Sequence, residues 1–379
     1  MRNEETLPLD ARHAFVDTFA DAGFRRSEPL ALLQPGIATS FLFSVGFVDV
    51  LAAVAGDAAE LDGAVTLQRC FRHFDVERTA DDRHLSLFEM AGALRCSGWN
   101  MAAMVQPLAR FLAHRCGLPY QRLHVTYFGG GKVAGQALAR DAAARDAYLA
   151  AGFSAQRIWP GGPDTNVWHE GANSGTPRSG ICGPHSEVFY DLDPARAHSP
   201  DASPLTRPAR FLELSNIVTI THRSRGGARG LDALPQPLIE LAVGMERIDT
   251  VLAGERDVYA SPKLAALRAA VRAHSAARDG GALRVAADHL RALTHLLADG
   301  GVPGPKGRGH VLRRLFRRLI DAADVLQLDL RAAYPALAAT VCDVDAALNP
   351  ALALRRGTVV AAMDAELARM LARRRRAGT

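Results

Sequence analysis

Apolar and polar residues alternate in several short segments of the first two thirds of the chain. The alternation at residues 65–72, 85–88, 123–127 and 211–222 predicts β-strands. The first two segments flank a polar stretch at residues 75–83, which predicts an antiparallel hairpin. We therefore expect this part of the chain to contain an antiparallel sheet.

Helical periodicity dominates the last third of the chain. Residues 283–298 and 311–326 repeat apolar side chains every three or four positions, which predicts two amphipathic helices. The opposite face of the second helix carries Arg313, Arg314, Arg317 and Arg318. The change of pattern predicts an α+β domain over residues 1–250 and a helical domain over residues 251–379.

Local signals place two further helices and two loops. Asp10 is a suitable N-cap for a helix that ends at Gly23, and residues 140–151 predict another helix. Residues 160–186 and 194–208 are rich in Gly, Pro, Ser and Asn, so we expect irregular loops there.

The composition limits the class of protein. The chain has 379 residues, 48% of them hydrophobic, and a net charge of +5, which excludes disordered and collagen-like proteins. Five cysteines without a CxxC motif and a polar N-terminus without a signal peptide indicate a soluble, cytoplasmic protein. The longest apolar run, residues 41–55, is too short to span a bilayer, so no membrane partner is expected.

Two segments carry residues suited to phosphate binding. Arg72 on the first strand of the predicted hairpin can present a planar fork to a phosphate, and Phe88 on the second strand can stack on a purine. In the segment from Gly244 to Arg247 a strand runs into a helix, which places an arginine beside a helix N-terminus. Taken alone, Arg72 is more often a surface or salt-bridged residue, and Gly-x-Glu-Arg is a weak signal.

Together these segments resemble the catalytic core of the class II aminoacyl-tRNA synthetases, and above all the alanyl-tRNA synthetases. Five stretches carry the resemblance in the order of the family: residues 66–72, 83–90, 182–191, 212–218 and 244–248. A sixth, in the helical region, comprises residues 287–291, 298–300 and 307–314. The resemblance covers about residues 10–325, and six ordered matches are far more specific than any one motif.

The resemblance implies both a fold and a reaction. The fold is an antiparallel sheet flanked by helices and followed by a helical domain, and an amino acid reacts with ATP to give an aminoacyl adenylate and pyrophosphate. The implied ATP-binding residues are Arg72, His84, Phe88, Glu89 and Arg247. Arg72 and Arg247 are the catalytic arginines: the first holds the α-phosphate and the substrate carboxylate, the second the γ-phosphate end of ATP. Glu187 and Glu213 are the implied carboxylates that bind Mg²⁺ or that order ATP.

The resemblance also implies an amino-acid pocket. Its residues are Met90, Trp168, Asn216, Val218, Glu240 and Ala242. Plain core packing is the alternative for Met90, Trp168 and Val218. Glu240 stands where the family has an aspartate and Ala242 where it has a glycine, so we expect activation of alanine or a similarly small amino acid, glycine included.

Departures from the family concern the acceptor of the aminoacyl group. Gly307 stands where the family has the asparagine that reads a base pair of tRNA, the hairpin loop is short, and residues 171–179 resemble an insertion. We therefore expect a small-molecule amine or a carrier-protein thiol as acceptor.

Two alternatives stay open at this stage. One is a minimal alanyl-tRNA synthetase whose four arginines, Arg313, Arg314, Arg317 and Arg318, face the RNA. The other is an inactive paralogue that serves as an RNA-binding or regulatory module. Because the resemblance ends about 55 residues before the C-terminus, we expect neither the editing domain of the family nor its zinc site. Arg373–Arg376 are interpreted as a solvated tail, with phosphate contact as the alternative.

Overall fold

The computed structural model describes residues 10–33, 63–96, 100–170, 179–193 and 202–377. The apolar run at residues 41–55, the presumed insertion up to residue 178 and residues 194–201 of the second predicted loop lie outside these ranges. No helix among the described residues combines the length and the apolar character needed to cross a bilayer.

The described residues divide into two compact units. The first unit is drawn from residues 10–29, 63–68 and 89–252. The second is drawn from residues 30–33, 69–88 and 253–377, so the tip of the first hairpin belongs to it. The predicted domain ranges, with a boundary at residue 250, stay predictions.

Eleven strands occur in the described residues. They are β1 (Arg25–Arg26), β2 (Ala64–Phe71), β3 (Leu87–Arg95), β4 (Leu123–Phe128), β5 (Gly131–Val133), β6 (Gln136–Leu138), β7 (Ile158–Gly161), β8 (Val167–His169), β9 (Ser179–Asp191), β10 (Phe211–Arg225) and β11 (Leu231–Gly244). Nine of them form one sheet in the order β1-β2-β3-β11-β10-β9-β4-β7, with β8 paired to β9. β5 and β6 form a separate antiparallel pair.

The centre of the large sheet is antiparallel. β3, β11, β10, β9 and β4 pair in this way, whereas β1 with β2 and β4 with β7 are parallel pairs. The predicted α+β fold with an antiparallel sheet is confirmed, and the parallel pairs make the complete sheet mixed. The strands predicted from alternation at residues 65–72, 123–127 and 211–222 are present.

The prediction of an irregular loop over residues 160–186 is wrong, because β9 starts at Ser179. Of the Gly and Pro residues that suggested a loop, Gly180, Gly183 and Pro184 belong to this strand. A Cβ at Gly183 would lie 1.8 Å from the carbonyl oxygen of Thr219 on β10, so a glycine lets the two backbones approach. Within the same range, Pro163–Asn166 form a short helix (α4) and Val167–His169 form β8.

The helices of the first unit flank its sheet. They are α1 (Ala11–Asp21), α2 (Met101–Ala109), α3 (Ala142–Ala150), α4 and α5 (Met245–Leu252). The carboxylate of Asp10 caps α1 by accepting the backbone N–H groups of Arg12 and His13, as predicted. Phe15 and Phe19 are fully buried and stack with ring centroids 4.5 Å apart, so the helix is fixed by its apolar face.

The second unit consists mainly of five helices in the part of the chain that the structure describes. They are α6 (Pro262–Ala273), α7 (Gly280–Ala298), α8 (Gly307–Leu326), α9 (Leu330–Val344) and α10 (Ala351–Ala377). The two amphipathic helices predicted at residues 283–298 and 311–326 are thereby confirmed. α7 is buried along most of its length, and Arg291 on it forms a buried ion pair with Asp345 at 2.7 Å.

Candidate active site

A β-bulge brings two polar residues of β10 to the same face of the sheet. Glu213 pairs with Phe189 of β9, and Asn216 pairs with Glu187, so three steps along β10 correspond to two along β9. Without the bulge, Glu213 and Asn216 would point to opposite faces. With it, both share the face of Glu187.

Polar side chains form a row across this face of the first unit. Thr126 on β4 pairs with Glu187, Glu187 pairs with Asn216, and Asn216 pairs with Ala242 on β11. The hydroxyl of Thr126 donates to Oε2 of Glu187 at 3.0 Å. The amide of Asn166 donates to Oγ1 of Thr126 at 3.0 Å, which fixes the outer end of the row.

Glu187 is the carboxylate of this row. Burial raises its pKa, and the negative charge of Glu213 on the neighbouring strand raises it further. The hydrogen bond from Thr126 acts in the opposite direction but does not cancel the effect. A cation near both carboxylates would therefore be favoured.

Arg247 supplies one such positive charge at the end of β11. Its Nη1 donates to Oε2 of Glu213 at 2.9 Å and to the main-chain oxygen of Glu213 at 3.0 Å. The side chains of Arg247 and Glu213 retain 24% and 33% of their surface exposed. Because Arg247 lies in the first turn of α5, the positive end of that helix adds to its attraction for an anion.

The carboxylates Glu187 and Glu213 suit a magnesium ion that arrives with a nucleotide. Mg²⁺ is usually bound by one or two carboxylates together with phosphate oxygens and water. Both side chains are partly exposed, and their mutual repulsion decreases when a cation binds. Among the described residues there is no group of three or more His, Cys, Asp or Glu side chains that could hold a metal alone.

The predicted amino-acid pocket lies next to this row on the same face. Val218 and Glu240 pair directly across β10 and β11, and Asn216 and Ala242 are the adjacent pair. Met90 pairs with Gly244 and, by alternation along β3 and β11, shares the face of Ala242. These predicted residues are therefore brought together by strand register.

Two more residues border the pocket on β8 and β9. Trp168 pairs with Gly183, two residues from His185 on the same face. His185 pairs with Val218 and is buried. Burial lowers the pKa of its imidazole to about 4, so the ring is neutral near pH 7.

His185, Thr126 and Asn166 were not identified as site residues from the sequence. His185 stands in one of the matched stretches, and its spacing of two from Gly183 and Glu187 is the signal that could have revealed it. Thr126 and Asn166 could not be found in this way, because strand pairing and α4 bring them to Glu187 from distant positions.

Glu89 has a different environment from the one implied by its predicted role in ATP binding. Its side chain is fully buried and forms a salt bridge with Nε of Arg12 at 2.5 Å. Arg12 also pairs with Asp249 at 2.7 Å. The carboxylate of Glu246 accepts the backbone N–H of Glu89 at 2.9 Å. In the first unit, Glu89 and Glu246 thus join β3 to α1 and α5.

Arg72, Phe88 and His84 belong to the second unit, at the tip of the hairpin. The guanidinium of Arg72 lies 4.9 Å from the ring centroid of Phe88, a cation–π contact that holds both side chains. Nδ1 of His84 lies 2.6 Å from the carboxylate of Asp81. Among the described residues no carboxylate lies within 4 Å of Arg72, so its guanidinium is available for an anion.

The hairpin tip is anchored within the second unit. The carboxylate of Asp288 on α7 accepts the backbone N–H of Ser86 at 2.8 Å and also the hydroxyl of Ser86. The hydroxyl of Tyr259 donates to the carbonyl oxygens of Thr79 and His84 at 2.8 and 3.0 Å. These bonds fix the positions of the residues between Arg72 and Phe88.

The four arginines of α8 fall into two pairs. Arg314 donates to the carbonyl oxygen of His73 and Arg318 pairs with Glu77 at 2.5 Å, so these two hold the hairpin. Arg313 and Arg317 instead line a groove of about 590 Å³ between α8 and α10. Arg373 and Arg374 also line it.

The basic C-terminal segment is helical up to Ala377. Arg374 pairs with Asp321 at 3.2 Å and with Asp324 at 2.9 Å, both on α8. Arg373–Arg376 are exposed, as the interpretation of a solvated segment predicts, and the ion pairs of Arg374 in addition tie the segment to α8. The amphipathic pattern of α10 packs this segment against α8.

Comparisons with known proteins agree with the motifs. The sequence model of one family, described as tRNA synthetases class II (A), matches residues 10–372. The alanine–tRNA ligase of Acidithiobacillus ferridurans is 30% identical over 371 residues, which cover 94% of this chain and 40% of that protein. The alanine–tRNA ligase of Gluconobacter oxydans is 30% identical, with 97% of this chain and 41% of that protein covered.

The curated relatives are longer than this chain. The chain spans about two fifths of the length of these alanine–tRNA ligases. Among solved structures, a pyrrolysyl tRNA synthetase of Desulfitobacterium hafniense has a TM-score of 0.35 and 10% identity, with 67% of this chain and 71% of that chain covered. A TM-score this low supports no conclusion about this chain. The family to which the chain belongs is assigned from the match of the family's sequence model.

Proposed function

Because the chain belongs to the class II tRNA synthetase (A) family, we propose that it activates a small amino acid with ATP. The products are an aminoacyl adenylate and pyrophosphate. The observation that carries the proposal is the cluster of Arg247, Glu213 and Glu187 beside the row of Asn216 and Ala242. It supports a site for phosphate and Mg²⁺ beside a site for an amino acid.

The proposed reaction needs no nucleophile from the protein. A carboxylate oxygen of the amino acid attacks the α-phosphorus of ATP, the bond to the β-phosphate breaks, and pyrophosphate leaves with its electron pair. Positioning and charge neutralisation then account for the acceleration. When bound, Mg²⁺ supplies positive charge that neutralises phosphate oxygens, and Glu187 and Glu213 would hold it.

Each arginine has a proposed duty. Arg247 binds the γ-phosphate end of ATP, for which its salt bridge to Glu213 prepares the guanidinium. Arg72 binds the α-phosphate and the substrate carboxylate, while Phe88 stacks on the adenine and His84 lies near the phosphates. The contact between Arg72 and Phe88 supports this, because it holds the fork and the ring close together.

The pocket is proposed to recognise the amino acid itself. Glu240, buried on β11, pairs with its ammonium group, and Asn216 contributes an amide. Val218, Ala242, Met90 and Trp168 limit the size of the side chain. The methyl group of Ala242 and the extra methylene of Glu240 leave room only for a small substrate.

For the acceptor we propose a small-molecule amine or a carrier-protein thiol. Gly307 at the start of α8 has no side chain to read a base edge. Arg314 and Arg318 are engaged with the hairpin within the second unit, which removes half of the predicted RNA-facing charge.

A tRNA acceptor is the second candidate. The relatives are named alanine–tRNA ligases, and Arg313, Arg317 and Arg373 line one groove whose charge suits a phosphate backbone. Transfer of radiolabelled amino acid to total tRNA separates the two candidates. Label that precipitates with tRNA would establish the second, and label that stays on a thiol-bearing carrier or a small amine would establish the first.

The proposed activation is tested by exchange of labelled pyrophosphate into ATP, screened over the twenty amino acids without tRNA. We expect exchange with one or a few small amino acids and its loss in Arg72→Ala. Arg331→Ala, which breaks an exposed ion pair to Asp364 on the surface of the second unit, is the matched control and should retain exchange. Absence of exchange with every amino acid, in a folded protein that binds ATP, would contradict the proposal.

A further inference from the structure

His185 borders the proposed amino-acid pocket and has no assigned duty. It pairs with Val218, which pairs in turn with Glu240, so the three side chains share one face of the sheet. Only 8% of the surface of His185 is exposed. Gly183, two residues earlier on the same face, leaves the position between His185 and Trp168 without a side chain.

Two polar atoms at this place are buried and lack a hydrogen-bond partner among the described residues. They are Nδ1 of His185 and Oδ1 of Asn216. Oε1 of Glu187 lies 3.8 Å from Nδ1, which is beyond hydrogen-bond distance. Buried polar atoms usually have partners in folded proteins, and a ligand bound beside these two atoms could supply the missing ones.

An amino acid with a purely apolar side chain offers no polar partner beyond its ammonium group and its carboxylate. Its ammonium group is assigned to Glu240 and can also donate to Oδ1 of Asn216. A methyl group can neither donate to Nδ1 of His185 nor accept from it. A side-chain hydroxyl can do either, and a pocket that binds a hydroxyl discriminates strongly against the analogue that lacks it.

We propose that the activated amino acid is small and carries a hydroxyl in its side chain, and that His185 selects it through a hydrogen bond at Nδ1. This inference rests on the proposed function, because it names the substrate class of the same site. It makes His185 a substrate-binding residue on β9, beside the carboxylate that is proposed to hold Mg²⁺.

Pyrophosphate exchange with isosteric pairs of amino acids tests the substrate class. Serine and 2-aminobutyrate differ only by a hydroxyl in place of a methyl group, and alanine and glycine are measured beside them. We expect kcat/KM for serine to exceed that for 2-aminobutyrate and for alanine by at least about tenfold. Exchange with alanine or 2-aminobutyrate that equals or exceeds exchange with serine would overturn the inference and leave the proposed function intact.

Variants test the role of His185. His185→Leu should bring the ratio between serine and 2-aminobutyrate close to one. His185→Asn places an amide atom at the position of Nδ1, so this variant should prefer serine over 2-aminobutyrate. His185→Gln places its amide further from the main chain, so this variant should not show the preference. His124→Gln, a buried histidine on β4 that the inference does not use, should keep the wild-type ratio.

The outcomes are separable. A preference for serine that persists in His185→Leu would overturn the role of His185. If His185→Leu does not fold, the comparison of His185→Asn with His185→Gln decides, since both keep a polar side chain there. Lack of exchange with every amino acid in the wild-type protein would overturn the proposed function itself and the inference with it.

Discussion

Arg247 binds Glu213 twice, through the carboxylate at 2.9 Å and through the main-chain oxygen at 3.0 Å. The bond to the main chain fixes the start of α5 against β10, at the bulge that turns Glu213 toward Glu187. The guanidinium is therefore held in place before any ligand arrives. Its remaining N–H groups are the ones that a phosphate can use.

Replacement of Arg247 should affect the reaction more than the fold. In Arg247→Ala we expect kcat/KM for pyrophosphate exchange to fall about 10- to 100-fold, since a hydrogen bond to a charged group contributes about 1.5–3 kcal/mol. Arg247→Lys keeps the charge but loses the fork, so an intermediate value is expected. Thermal unfolding should hardly change, because both partners are partly exposed. Equal exchange in wild type and Arg247→Ala would contradict the assignment.

The free energy of unfolding of the first unit should decrease in acid, in part because of His124. Nδ1 of His124 accepts the indole N–H of Trp159 at 3.2 Å, and burial lowers the pKa of the imidazole to about 4. The unfolded chain binds a proton near pH 6.5, whereas the folded chain does so only near pH 4. Stability from this residue is therefore complete above pH 6.5 and is lost as the pH falls toward 4.

The measurement compares the free energy of unfolding at pH 7 and pH 4.5. Other buried histidines, including His185 and His295, also have lowered pKa values, so the wild-type protein loses stability from several sources. In His124→Gln, which can accept the indole N–H but does not titrate, the loss should be smaller by about 1–3 kcal/mol. An unchanged loss in the variant would show that His124 is not responsible.

Two glycines should respond to alanine in opposite directions. At Gly183 the added methyl would lie 1.8 Å from the carbonyl oxygen of Thr219, so β9 and β10 must separate, at a cost of about 2–3 kcal/mol. At Gly357, inside the exposed part of α10, nothing lies within 4 Å of the added methyl. Gly357→Ala should therefore stabilise the protein by about 0.5–1 kcal/mol. Urea unfolding of both variants checks the signs, and a destabilised Gly357→Ala would contradict this account.

Local patterns in the sequence were sufficient to predict most elements. Helices α7 and α8 and strands β4 and β10 follow from the apolar patterns of their sequences. α8 buries one side, whereas α7 is buried along most of its length and β4 on both faces. β9 could not be predicted, because Gly183 has a low propensity for strands. A glycine is needed at this position because the backbone of β9 approaches Thr219 closely. The approach depends on a partner strand 36 residues away along the chain.

The candidate site was predicted in its residue types but not in its contacts. The matched stretches identified Glu187, Asn216 and Arg247. The bulge that turns Glu213 to their face could not be seen, since it depends on the pairing of β10 with β9. Likewise, the sequence could not show that Arg314 and Arg318 differ from Arg313 and Arg317. The difference arises because Arg314 and Arg318 pair with Glu77, which lies in a remote segment of the chain.

The ion pair between Arg291 and Asp345 should be the most sensitive contact of the second unit. Both side chains are at most 1% exposed, and His295 donates to the same carboxylate at 2.9 Å. Asp345→Asn removes the negative charge that Arg291 and His295 share, and breaking a buried ion pair in this way should cost about 3–5 kcal/mol. Asp364→Asn removes an exposed partner of Arg331 and is the control, with no measurable change expected. Because the contact lies inside the helical unit, a two-step urea unfolding curve of Asp345→Asn should show reduced stability in one step only. Equal effects of Asp345→Asn and Asp364→Asn on the free energy of unfolding would contradict the prediction.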